Sequence, residues 1–204
     1  MRTSSEIETI SKRAAKAAGF PWGIAEEVGK NTKNLELLSM PGIENLNLYL
    51  QSVKGKLTEG PKEILYENKL EAKSYCPFYT GSAILDSANK IQEMKQLSFF
   101  SVNFPILIIP FLNRLSQKLG KKISLRIDEY NFLLNLNKFI SCDKDLRNVV
   151  LKTADVIEIQ ILENEDPFQT DVWDQLYELS CETFVEETDR LKDTSAGAGL
   201  TDND

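Results

Sequence analysis

The spacing of apolar residues changes period along this chain, and that change dictates the fold class. Through residue 57 the period is helical. Ile7, Ile10, Ala14 and Ala17 make one stripe, with Ser4 or Ser5 placed to cap it and Gly19 placed to stop it. Pro21 stands at the start of a second helix through Trp22, Ala25, Val28, Leu35 and Leu38. Gly23 and Gly29 are expected to weaken that helix by about 1 kcal/mol each relative to Ala. Pro41 opens a third helix, whose Ile43, Leu46, Leu50, Val53 and Leu57 follow a 3,4,3,4 spacing.

From residue 123 the period becomes two. Ile123, Leu125 and Ile127 alternate with Ser124, Arg126 and Asp128, and Phe132, Leu134 and Leu136 continue beyond a turn at 128–131. Val149 and Leu151, then Ile157, Ile159 and Ile161, extend the alternation. Strands with one apolar and one polar face belong to a sheet covered on one side only. A further strand is expected near 97–104, and helices after Pro77, from Pro110 to the stop at Gly120, and from Thr170 or Asp171 through Phe184. The predicted class is α+β: a helical subdomain over 1–57, a body over 58–192 containing an antiparallel β-meander, and a Gly-rich acidic tail over 193–204.

Composition narrows the chemistry. The 204 residues contain no His, so Ser-His-Asp and Cys-His catalysis are excluded within this chain, as are zinc sites built on imidazole. Acid–base work falls to Asp, Glu, Lys, Tyr or Cys. Three widely spaced Cys make no disulfide framework and suit a reducing compartment, which with an N-terminus lacking a secretory apolar core points to the cytoplasm. Cys142 and Cys181 read as core filler. The net charge of −7 disfavours nucleic acid as a partner, and the lysines at 118, 121 and 122 read as a solvated loop. The longest apolar run, 104–112, is broken by Pro105 and Pro110 and is far shorter than the roughly 20 residues that span a bilayer. No phosphate-cradling glycine motif is present, and no cofactor is named by the sequence.

Three short runs carry the unusual residues. In 19–27, Trp22 offers a flat apolar surface beside Glu26 and Glu27, with Lys30 four residues after Glu26. These read either as a ligand-lining group or as an aromatic anchor with acids matched to the helix dipole. In 75–86, Cys76 before Pro77 is an N-cap position, where the helix dipole and free N–H groups lower a thiol pKa; Asp86, about two and a half turns on, reads as a ligand or base, or as a simple surface acid. In the tail, Thr201, Asp202, Asn203 and Asp204 follow Ala-Gly-Ala-Gly and supply oxygen ligands and a terminal carboxylate. The bland alternatives are a buried, inert Cys and a frayed terminus.

The opening run from Glu6 through Gly19-Phe-Pro-Trp-Gly-Ile-Ala-Glu-Glu27 resembles that of a bacterial family known only as a domain of unknown function. The 76–86 run and the terminal Gly197-Ala-Gly-Leu-Thr-Asp-Asn-Asp204 are similar to that family's middle and end, while Thr183-Phe-Val-Glu-Glu-Thr-Asp-Arg departs from its Pro-containing pattern. The resemblance implies kinship and a cytoplasmic, metabolic setting; it names no substrate. Two functional expectations stand. One is a small-molecule metabolic enzyme, with Cys76, Glu26 and Asp86 catalytic, with or without a divalent cation, and Trp22, Glu27 and residues 201–204 binding the metabolite. The other is a non-catalytic accessory protein whose tail docks into a partner enzyme. A ligand-binding sensor is a third.

Overall fold

A computed structural model describes residues 2–183 except Ala72 and Asn137. Seven helices and six strands follow one another within that range. The first three helices are α1 (Ser4–Ala18), α2 (Trp22–Leu37) and α3 (Gly42–Val53), and they pack on one another. Thr3, not Ser4 or Ser5, caps α1 by accepting from the Glu6 N–H, and Gly19 closes it in the left-handed region at φ 114°. Pro21 and Pro41 each stand one residue outside their helices, as N-caps, with no N–H to leave unpaired.

The body continues with β1 (Glu67–Asn68), α4 (Pro77–Asp86), α5 (Ala88–Met94), β2 (Gln96–Asn103), a short 3-10 turn (Pro105–Ile108) and α6 (Ile109–Leu119). Then come β3 (Ile123–Ile127), β4 (Tyr130–Asn135), β5 (Phe139–Cys142) and β6 (Thr153–Ile161). The six strands form one sheet in the order β1-β2-β6-β3-β4-β5. Only β3-β4-β5 is a meander. The last strand inserts between β2 and β3, antiparallel to both, and β1 adds in parallel at the edge. The sequence pattern points to β2, β3, β4 and β6 but not to β1, β5 or the lateral order, because β2 and β6 are about fifty residues apart and no turn links them.

One face of the sheet is the core. Leu97, Phe99, Leu125, Ile127, Leu134 and Ile159 are essentially unexposed and join a cluster with Ile106, Leu107, Phe111 and Leu115 from the 3-10 turn and α6. Burying side chains of this size contributes about 1.5–3 kcal/mol each, which is what holds an alternating strand with its apolar side inward. The residues between them face the other way.

Contacts divide the chain into a unit over residues 1–164 and a second over 165–204. Within the second, α7 (Thr170–Cys181) starts one residue after its N-cap Gln169 and has no buried residue; Phe168 stacks on Trp173 at 5.4 Å. The expected continuation to Phe184 and the tail at 193–204 lie outside the described residues.

Candidate functional site

The face of the sheet turned away from the core is organised by strand register. Glu67 pairs with Ser98, Ser98 with Glu158, Glu158 with Arg126, and Arg126 with Asn131. Because the side-chain period of a strand is two, these five residues point to one side in a single row across five strands. A second row, Gln96–Gln160–Ser124, runs beside it. With Tyr66 at the edge they line a recess of about 400 Å³, within the usual range for a small-molecule site but polar where most such sites are apolar.

Several contacts fix this surface. The Arg126 Nε donates to Glu158 Oε2 at 2.8 Å, and its Nη2 reaches Glu158 Oε1 at 2.6 Å, a two-pronged pairing across neighbouring strands. That hydrogen bond holds the Glu158 carboxyl below its usual range and pushes the Arg126 guanidinium up, so both stay charged. Asp128, at φ 47°, ties the β3–β4 turn to β6 by accepting from the N–H groups of Asp155 and Val156. Buried Asn68 pins the edge: its Nδ2 donates to the carbonyls of Leu65 and Ser98, and its Oδ1 accepts from the Leu65 N–H. Tyr66 and Glu67 are therefore held at the rim. At the other end, Asp143 accepts from both the backbone N–H and the side-chain amide of Asn131.

The residues singled out from the sequence lie elsewhere. Cys76 is the N-cap of α4 and Pro77 its first residue, as the sequence predicts. Its thiol, however, is fully buried and accepts from the Tyr49 hydroxyl at 3.0 Å. Burial pushes the thiol pKa up, outweighing the Tyr49 hydroxyl and the Phe78 and Tyr79 N–H groups that pull it down. The expected pull of free N–H groups at the helix start is present, and desolvation is larger than it. Glu26 and Asp86 are both exposed, on α2 and at the end of α4. Trp22 is 56% exposed, with the Lys16 ammonium 5.4 Å above its ring, and is no buried anchor.

Lys30 pairs with Glu27 at 3.1 Å, where sequence spacing pointed to Glu26. Glu27 also meets Arg114 of α6 at 2.6 Å. Burial raises the Glu27 carboxyl, but the hydrogen bonds from Arg114 and Lys30 outweigh it and hold the group below its usual range. Asn31 sits fully buried beside this bridge, donating to the Glu27 carbonyl at 2.7 Å. Glu27 thus joins the helical layer to the body. Cys142 is half-buried and packs against the margin of the core, whereas Cys181 is exposed and does not fill it as expected. Thr201, Asp202, Asn203 and Asp204 lie outside the described residues.

In the sequence, Ser124 and Arg126 stand out only as the wet side of a strand. Only the insertion of β6 between β2 and β3 puts Ser98, Glu158 and Arg126 side by side. Among the described residues, no three Cys, Asp or Glu side chains cluster as a metal site requires, and no helix is long and apolar enough to cross a membrane.

Fold and surface together define an α+β protein with a helix-covered sheet whose other face is a fixed polar array. Residues 2–78 match the model of a family described as Protein of unknown function (DUF3726), which agrees with the resemblance of the opening segment to a family of unknown function. No curated protein and no solved structure matches the chain.

Proposed function

We propose that this protein works by binding a small polar ligand on the face of its sheet turned away from the core, and that it is not itself the catalyst acting on that ligand. The observation that supports this reading is the double row Glu67–Ser98–Glu158–Arg126–Asn131 and Gln96–Gln160–Ser124, held by backbone register around a recess of about 400 Å³. A general acid or base works best with a pKa near the operating pH. Here Glu158 is held below the normal carboxylate range and Arg126 is pushed up, a pair suited to fixed-charge recognition rather than proton transfer. The thiol of Cys76 is kept in its uncharged form inside the core. Of the three expectations from the sequence, this reading is nearest to the ligand-binding sensor, with the sheet face as the binding surface.

Thermal unfolding in the presence of fractionated small-molecule extract tests the reading, since a ligand that binds only the native state raises Tm. The expected result is a fraction that raises the Tm of the wild-type protein but not of Ser124→Tyr, which fills the recess from an outward strand position where Tyr is well tolerated. No active fraction, or equal shifts in both proteins, contradicts it.

A further inference from the structure

We infer that the ligand of the sheet face is a neutral, hydroxyl-rich molecule, a saccharide or sugar alcohol; this rests on the binding reading above and deepens it. Three features of the recess lead there. The first is charge. Glu67, Glu158 and Arg126 line it, two acids and one base, and the base is already engaged in a two-pronged pair with Glu158. An anionic ligand gains no unengaged cation there, and it meets the long-range field of a chain carrying −7.

The second is the nature and spread of the polar groups. Gln96 and Gln160 each carry amide donors and a carbonyl acceptor, Asn131 keeps its carbonyl acceptor and the N–H not given to Asp143, and Ser98 and Ser124 each donate and accept. A surface mixing donors and acceptors at almost every position matches a ligand whose every polar group does both, and the hydroxyl is that group. Register sets the spacing at about 4.8 Å between strands and about 7 Å between outward residues of one strand. The chemistry is therefore distributed over the recess rather than gathered at one point. A carboxylate, ammonium or phosphate ligand needs its partners converging on one end; a polyol needs them spread along its length.

The third is Tyr66. It lines the recess at the sheet edge and is 59% exposed, while buried Asn68 pins the backbone on either side of it. A large exposed aromatic on anchored backbone offers a flat apolar surface beside the polar array. A sugar ring has the same division, with C–H groups on its faces and hydroxyls at its rim.

The test is an NMR titration of the full chain with neutral hexoses, pentoses, disaccharides and sugar alcohols, set against glutamate, citrate and spermidine. The expected result is saturable binding of one or more of the neutral polyols, lost in Ser124→Tyr. Tyr66→Ala is expected to weaken it by about fivefold or more, as loss of an aromatic contact does, with Tyr66→Phe within about twofold. Tighter binding of a charged probe at the recess overturns the ligand class and leaves the binding reading standing. Failure of every polyol while an extract fraction still stabilises only the wild-type protein does the same. Failure of both the polyols and the extract overturns both.

Discussion

Cys76 and Glu27 show how burial decides what a polar side chain does. The Cys76 sulfur accepts the Tyr49 hydroxyl inside the core, and both residues are unexposed. Cys76→Ala removes the acceptor and leaves the buried Tyr49 hydroxyl only a long 3.5 Å contact with Thr58 Oγ1, at a cost of about 1–3 kcal/mol; urea unfolding of the variant measures it. A thiol reagent is expected to modify exposed Cys181 at once and Cys76 only when denaturant opens the core. Glu27 is charged because Arg114 and Lys30 more than offset its burial. Its folded pKa is depressed, so the stabilisation is complete above the unfolded carboxylate pKa and is lost as pH falls through the lower folded value. The stability difference between wild-type protein and Glu27→Gln is expected to be constant from pH 8 to about 5 and to shrink below about 4.5. A difference independent of pH contradicts the pairing.

Among the helices, what looks like a propensity defect in the sequence turns out to be two different things. Gly23 has no atom within 4 Å of the place a Cβ would occupy, whereas a Cβ on Gly29 would sit 2.6 Å from the Glu8 carbonyl oxygen of α1. Gly23→Ala is therefore expected to stabilise by about 0.4–1 kcal/mol. Gly29→Ala is expected to destabilise by about 1–3 kcal/mol, because α1 must move off α2. Thermal unfolding of the pair reads the opposite signs directly. Residue type alone showed two weak points in one helix; the distinction needed the packing partner. The strands teach the same lesson. Alternation at 123–127 and 157–161 marked which side of each strand faces the core, since burial enforces that locally. The order β2-β6-β3 depends on contacts between distant segments and leaves no local pattern. Of the candidate site, Ser124 and Arg126 were visible as a polar strand face, and Ser98, Glu158 and Tyr66 were not. The residues that looked chemically unusual, Trp22, Glu26, Cys76 and Asp86, are respectively exposed beside Lys16, exposed, buried and exposed.

At the scale of the molecule, the two faces of one sheet divide the labour. The inner face supplies the apolar burial that fixes register, and register in turn fixes the outer face with no further ordering of its backbone. A binding surface prepared in this way loses little conformational entropy when it is occupied. Removing both charges together, in Arg126→Ala/Glu158→Ala, is expected to leave Tm within a few degrees, because an exposed pair contributes about 0–1 kcal/mol. The same variant is expected to abolish the Tm rise given by the active ligand. The most direct test is a residue-by-residue NMR map of the full chain with a bound polyol. The account predicts shifts at the amides of Ser98, Ser124, Gln160 and Tyr66 and at the Arg126 Nε–H, with the Trp22 indole N–H unmoved. Shifts gathered around Trp22 and Asp86, with the sheet signals unchanged, would contradict it.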